Sequence, residues 1–357
     1  MATIRDIAEK LGISIGTVSK GLNGGMDISE TLRHRILETA VELGYENGRT
    51  KKAEHRTLAV FIENMDYEAE DSFGYGIVLG FRKAARRQGW GVTVIPVTPQ
   101  FQQEHRYESV MLQNQCTGAF LIGFSLSDPW IEQLRSSPVP TVLLDNSVPI
   151  NPMIGYVGTD SDEGFDMAVS HLAALRHEKI AFLDGSAGSM ISDRRMAAYL
   201  HSMAGHGLRI DPQLAVYGYF VADAARHHVP GFLSRGATAI LCGNDLIAKG
   251  VIDCCHALGY SVPEDVSVIG FDDLPIAEKL DPPLTTIRQN RVELGKSACY
   301  TLQAMTDHVP VSMSLLRPVF IERASCAIAK PRLAEPCEND PDSVLYRNPD
   351  LYQRYSH

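Results

Sequence analysis

Gly12 separates two short apolar stripes, and this break constrains the start of the chain more than any other feature. Ile4, Ile7, Ala8 and Leu11 recur at i, i+3, i+4 and i+7, one face of a two-turn helix. Thr3, with Asp6 three residues on, supplies its N-cap. Gly12 ends it, because glycine enters the left-handed conformation that a sharp helix ending needs. Ser14 caps a second stripe of Ile15, Val18 and Leu22. Two short helices joined by Gly-Ile-Ser make a helix-turn-helix pattern, whose second helix enters a DNA major groove. Gly24 and Gly25 turn the chain again, and Ser29 caps a third helix carrying Leu32, Ile36, Ala40 and Leu43, ended by Gly44. Three helices of this size can close one small core.

Residues 46–56 are polar and basic with no apolar stripe, the composition of a linker. From Thr57 onward short β-rich runs alternate with helical segments. Leu58–Ile62, Val92–Val97, Ala119–Ile122 and Val139–Leu144 read as strands, with helices around Tyr75–Gln88, Gln102–Gln113 and Trp130–Ser136 between them. A stretch rich in Pro and Gly, Asn146–Thr159, breaks the run. Strands at Lys179–Leu183, Leu214–Tyr217, Ala239–Cys242, Ser267–Gly270 and Arg317–Ile321 then alternate with further helices. Strands apolar throughout argue for parallel sheets covered on both faces, and the length argues for two of them. The expected class is α/β: a helix-turn-helix headpiece plus two doubly wound parallel-sheet subdomains.

The net charge of −10 looks wrong for a DNA-binding chain until it is divided. Residues 1–57 hold nine Lys/Arg and eight Asp/Glu, so the acidity belongs to the body. A near-neutral headpiece on an acidic body binds DNA locally while the body is repelled by phosphate. No apolar run approaches the ~20 residues that span a bilayer, and no apolar leader opens the chain, so a cytoplasmic protein is expected. The seven cysteines contain no C-x-x-C pair and no zinc-like Cys/His spacing, so reduced core thiols are expected and no metal. Gly185-Ser-Ala-Gly188 lacks a nucleotide-binding fingerprint, and His227-His228 lacks a third ligand, so no enzyme motif and no cofactor site emerge.

In open parallel sheets ligands bind beyond the carboxyl ends of the strands. Polar residues recur there: Asp145 after Val-Leu-Leu, Asn244-Asp245 after Ala-Ile-Leu-Cys and Asp272 after Val-Ile-Gly-Phe, with Arg195 near the start of a helix. Singly each carboxylate serves equally as a turn or cap. Jointly, carboxylates and a guanidinium suit a polyhydroxylated ligand.

Ile-Arg-Asp-Ile-Ala-Glu-Lys-Leu-Gly-Ile-Ser-x-x-Thr-Val-Ser-Lys-x-Leu-Asn, with Ile-Ser-x-x-Leu-x-x-Arg-Ile-Leu-x-x-Ala-x-x-Leu-Gly-Tyr45 after it, closely resembles the headpiece of the LacI/GalR family of bacterial transcriptional regulators. The resemblance extends to about residue 328. It implies a headpiece of residues 1–45, a hinge of 46–56, and an effector-binding and dimerisation domain of 57–328. That domain would be a periplasmic-binding-protein-like type I body, with crossovers near 146–160, 271–285 and 315–325. The tail, 329–357, lacks the leucine repeat that makes some relatives tetramers, so a homodimer on near-palindromic operator DNA is expected.

By the same resemblance Ile15 and Gly16 are the positions that dominate base choice, with Thr17, Ser19 and Lys20 beside them on the outer face. Ile15 reaches at most a thymine methyl and Gly16 reads nothing, so direct readout is lean. Core packing is the competing role for Ile15. Lys20 stands where most relatives carry arginine, and an ammonium discriminates bases less than a guanidinium fork. Thr3, Ser14, Asn23 and Ser29 complete the headpiece's DNA set, and Arg49, Lys51 and Lys52 add hinge contacts to phosphate. Relatives have a hinge leucine that wedges into the minor groove; no such residue stands here before Leu58. The implied effector contacts are Phe73, Asp145, Arg195, Phe220, Asn244, Asp272 and Gln289. Ala198 departs from the family's usual glycine. The expected function is a DNA-binding repressor whose operator affinity a small molecule, a sugar or its derivative, controls. A solute-binding protein and a sugar-converting enzyme are the rivals, separated from it by a gel shift on the chain's own upstream DNA.

Overall fold

The computed structural model describes residues 2–25, 27–45 and 56–330. The headpiece is built from α1 (Ile4–Leu11), α2 (Ile15–Leu22) and α3 (Glu30–Glu42). Thr3 and Asp6 form a complete capping box, with the Thr3 amide donating to Asp6 Oδ2 at 2.7 Å. Gly12 takes φ 66° at the C-cap. Ser14 caps α2 by accepting from the Thr17 amide, and Ser29 caps α3 by accepting from the Leu32 amide. Ile7, Ala8, Val18, Leu22, Ile36, Leu37 and Ala40 form the core, each fully buried branched side chain contributing about 1.5–3 kcal/mol. A parallel bridge between Ala2 and Tyr45 ties the two ends together.

The chain divides into two compact units. The first holds residues up to Gly158 together with Arg291–Leu316; the second holds Thr159–Asn290 and the chain from Arg317 onward. In unit 1 the sheet runs β11-β5-β4-β3-β1-β2, from β1 (Thr57–Ile62), β2 (Gly91–Pro96), β3 (Gly118–Ile122), β4 (Thr141–Leu144), β5 (Ile154–Thr159) and β11 (Met313–Leu316). The pairs among β1 to β5 are parallel. One face packs on α4 (Phe73–Arg87) and α12 (Arg291–Thr306); the other on α5 (Pro99–Glu104), α6 (Tyr107–Gln113) and α7 (Pro129–Leu134). The headpiece also belongs to this unit: α3 lies against α6, and Leu112 packs on the headpiece core.

Unit 2 repeats the plan in the order β12-β10-β9-β8-β6-β7. These are β6 (Ile180–Ser186), β7 (Ala215–Gly218), β8 (Ala239–Cys242), β9 (Ser267–Asp272), β10 (Thr285–Arg288) and β12 (Val319–Ile321). All neighbours are parallel except β12, which is antiparallel to β10. One face buries α10 (Ala224–Ser234) and α11 (Asp245–Ala257), the other α8 (Ser161–Ala174) and α9 (Met190–Gly205).

Several elements differ from the sequence reading. The Pro/Gly-rich break contains strand β5, whose Gly158 is needed because a Cβ there would fall 2.3 Å from the Tyr156 hydroxyl and 2.6 Å from Asp145 Oδ1. The single helix expected over 102–113 is two, since His105 is extended at φ −130°, ψ 127°. Strand β10 is a further addition, so the second passage between units falls after Asn290, beyond the 271–285 stretch. Arg56, the last residue of the expected hinge, stacks over the Trp90 ring and donates to Thr306 Oγ1 at 3.0 Å. Arg49, Lys51, Lys52 and the tail beyond Lys330 lie outside the described residues.

Candidate DNA-contacting helix and ligand-binding wall

On the headpiece, Val18 and Leu22 turn inward and leave one face of α2 outside. Ile15 is 49% exposed, which removes it from the core, and Gly16 and Lys20 are exposed beside it. Thr17 and Ser19 are half-buried; Thr17 Oγ1 is hydrogen-bonded to Ser14 Oγ at 2.8 Å. Asn23 Nδ2 donates back to the Ser19 carbonyl at 2.7 Å, fixing the end of α2. Thr3, Ser14 and Ser29 are exposed caps. The sequence reading overlooked Asp27, which forms an ion pair with Lys20. Its signal was a carboxylate in the turn after the recognition helix.

In unit 1, Asp145 follows β4 in the left-handed region at φ 53° and accepts from the Tyr156 hydroxyl at 3.3 Å. Phe73 opens α4 and is half-buried against the core of that unit.

Unit 2 gathers the other five expected residues. Arg195, on α9, is 4% exposed; its Nη1 donates to the Gly243 carbonyl at 2.6 Å, and its guanidinium lies over the Phe271 ring at 4.3 Å. Asp272 ends β9, 4.0 Å from Arg195 Nη2, and accepts from Gln289 Nε2 at 2.6 Å. Asn244 caps α11 and donates to the Phe220 carbonyl. The Phe220 ring lies on the backbone of Gly185, where a Cβ would fall 2.0 Å from its Cζ, so only glycine admits the ring. Beyond this wall, at the carboxyl ends of β6 and β7, opens a recess of about 320 Å³ that His227 and His228 help to line.

The turn bearing Asp272 is strained and braced. Asp272 sits at φ 113° and Asp273 at φ 53°, conformations costing roughly 1–3 kcal/mol each outside glycine. Asp245, fully buried, accepts from the Leu274 amide at 2.7 Å and from Thr286 Oγ1 at 2.6 Å. Burial, then the charge of Asp272, raises the Asp245 carboxyl well above its ordinary range. Asp273 is held by Arg288 at 2.6 Å and Arg323 at 2.7 Å.

Four buried polar atoms of this wall have no hydrogen-bond partner among the described residues: Asp184 Oδ2, Ser192 Oγ, Arg195 Nε and Gln289 Oε1. Buried polar atoms are nearly always satisfied, so this cluster is the candidate place for a polar ligand. Asp184 and Ser192 were absent from the sequence expectations. The signal was available for Asp184, since the apolar run Ile-Ala-Phe-Leu closes on a carboxylate as Val-Ile-Gly-Phe does.

Six described cysteines are free, and no described group of three His, Cys, Asp or Glu residues could hold a metal ion. Among the described residues no helix is long and apolar enough to cross a membrane.

A capped helix-turn-helix and two parallel-sheet units with a polar wall define the class of ligand-responsive transcription regulators. The comparisons agree with that architecture. Residues 3–47 match the model of bacterial regulatory proteins of the lacI family, and residues 169–326 match a periplasmic binding protein-like domain. The repressor CytR of Escherichia coli (strain K12) is 31% identical over 333 residues, covering 91% of this chain and 96% of that protein. The repressor PurR of Vibrio campbellii is 27% identical, covering 84% and 90%. Among solved structures, a lac repressor dimer bound to operator superposes with TM-score 0.66 at 24% identity, covering 91% of this chain and 99% of that one. A cellobiose complex of the regulator CelR gives 0.65 at 24%, covering 91% and 100%. The chain belongs to the LacI family of bacterial regulatory proteins.

Proposed function

We propose that this protein is a cytoplasmic transcriptional repressor, acting as a homodimer on near-palindromic operator DNA, whose affinity for that DNA is set by a polyhydroxylated effector of the carbohydrate type. The observation that carries the reading is Arg195: a buried guanidinium with an unpartnered Nε, standing among Asp272, Gln289 and Asn244 on a chain that also presents an exposed recognition helix. Residues of this kind hold a ligand by charge-assisted hydrogen bonds in a desolvated setting. Phe220 offers an aromatic face, and Phe73 and Asp145 are assigned the corresponding role on unit 1. The relatives CytR and PurR are transcriptional repressors, and the structural neighbour CelR is a regulator in complex with cellobiose; both support a regulator rather than an enzyme. Repression is relieved or enforced through a coupling free energy between the effector and operator sites.

The test is Arg195→Ala. Losing a buried charge-assisted contact costs about 2–5 kcal/mol, enough to erase micromolar binding. The variant is expected to shift the chain's own upstream DNA as wild type does, and to ignore any sugar that changes the wild-type shift. Wild-type effector affinity by calorimetry would overturn the assignment.

A further inference from the structure

Alternation along β6 sends Phe182 and Asp184 to the same face of the sheet, where Phe182 meets Tyr199 of α9. Ser192 and Arg195 lie one turn apart on that helix, so the Asp184 carboxyl shares its face with them. Asp184 is 0% exposed, yet only one of its oxygens is occupied: Oδ1 accepts from the Gly185 amide at 2.7 Å. Gly243, whose carbonyl receives Arg195, leaves room for this carboxyl, since a Cβ there would fall 2.7 Å from Asp184 Oδ1. Ser192 is likewise fully buried with an unpartnered hydroxyl. Charge in this wall is unbalanced. Asp184 and Asp272 are both buried carboxyls, and Arg195 is the one lysine or arginine that is buried among the described residues.

We infer that Asp184, with Ser192 beside it, is a hydrogen-bond acceptor for the bound effector, and that with Asp272 it makes the wall select uncharged polyhydroxylated ligands over anionic ones such as sugar phosphates and uronates. The inference rests on the effector-site reading above and adds the charge of the ligand to it. A ligand hydroxyl donating to Asp184 Oδ2 satisfies an atom that otherwise stays desolvated and unpaired. A phosphate brings up to two negative charges toward two carboxyls and one guanidinium, in a setting where like charges are poorly screened. Burial holds the Asp184 carboxyl up at about 7 despite the pull of Arg195, so an anionic ligand would favour the protonated acid and an uncharged donor the carboxylate.

The experiment pairs neutral sugars with their anionic counterparts: glucose with glucose 6-phosphate and glucuronate, ribose with ribose 5-phosphate, and cellobiose. Each is added at millimolar concentration to the full-length wild type, Asp184→Asn, Ser192→Ala and Arg195→Ala, with melting temperature and calorimetry as readouts. Stabilisation of the wild type is expected from neutral members only. Asp184→Asn should weaken that binding roughly tenfold and narrow the gap between a sugar and its phosphate. Ser192→Ala, which removes only a hydroxyl, should weaken it severalfold and guards against a folding defect in the first variant. An anionic member binding the wild type more tightly than its neutral partner overturns the inference, as does a panel in which nothing binds. Loss of binding in Arg195→Ala with none in Asp184→Asn and Ser192→Ala sinks this inference alone. Undiminished binding in all three variants sinks the effector-site reading as well.

Discussion

Glu38 on α3 accepts a hydrogen bond from the Ser109 hydroxyl on α6 at 2.7 Å, fastening the headpiece to the rest of unit 1. Arg106 approaches the same carboxylate at 3.7 Å, and His34 meets His105 edge to face at 5.7 Å. Glu38→Ala should weaken this attachment by roughly 1–2 kcal/mol. Hydrogen exchange should then rise in α3 and α6 while unit 2 is unaffected. Unchanged exchange in both helices would show that the contact holds nothing.

Lys20 is the headpiece's best candidate for a base or phosphate contact, and Asp27 already engages it. Both side chains are more than half exposed, so solvent screens the pair and Asp27 holds Lys20 only weakly. Asp27→Asn should therefore raise DNA affinity a few-fold, on specific and unrelated sequences alike, and steepen the salt dependence. Lys20→Ala should cost roughly 1–3 kcal/mol on the operator if the ammonium reaches a base edge. Fluorescence anisotropy across a salt series checks both; equal salt slopes for wild type and Asp27→Asn would refute the competition.

Glu63 is buried just beyond β1, where Gln102 Nε2 donates to it at 2.8 Å and Asp128 lies close by. Burial, then the neighbouring Asp128 carboxyl, pushes the Glu63 carboxyl up to about 8. The folded chain thus holds a proton that the unfolded chain has released above the ordinary value of 4.5. The stability this proton confers is full below 4.5 and is lost as pH rises through about 8. Asp184 acts in the same direction but is spent by about 7, and His171 and His177, lowered mainly by burial, act oppositely below 6.5. Asp245, raised well above its ordinary range by burial, adds to the slope in the same direction, and Glu63 supplies the share that ends near pH 8. Glu63→Gln should flatten it and gain roughly 1–2 kcal/mol at the alkaline end. Urea midpoints against pH measure this, and a slope unchanged by the substitution would count against it.

The hinge sequence Glu46-Asn-Gly-Arg-Thr-Lys-Lys-Ala-Glu-His-Arg56 offers no wedge larger than Ala53. Unstacking a base step costs a few kcal/mol and needs an apolar side chain to hold it open. Bound operator is therefore expected to bend little and to tolerate changes at its central step, with affinity falling steeply as salt rises. Circularly permuted operator fragments test this; a strong central kink would be the contrary result.

The headpiece was legible residue by residue because each signal is local: a cap, a stripe, a glycine. The two sheets were legible from alternation, but β5, β10 and β11 escaped. Ile-Gly-Tyr-Val-Gly-Thr reads as a break, and only the close seats of Gly155 against Thr301 and Met305 of α12 and of Gly158 against Tyr156 and Asp145 explain glycines inside a buried strand. Arg195, Asn244 and Asp272 came from strand ends and resemblance together, and Gln289 from the resemblance alone. Asp184 came from neither, because one aspartate after an apolar run looks the same whether it turns the chain or lines a candidate site. Only its burial, and the partner missing from one oxygen, separate the two.

The backbone at Asp272 has a consequence for how this wall can change over generations. At φ 113° a side chain with a branched β-carbon is excluded, and an unbranched one is strained. Asparagine and glycine are the replacements expected to keep the turn, which leaves a carboxylate, an amide or no side chain at this position. Substitutions that alter the proposed site without straining the backbone are then those at neighbours with ordinary angles, while Asp245, Arg288 and Arg323 hold the turn in place. The proposed site is more readily retuned around this point than through it.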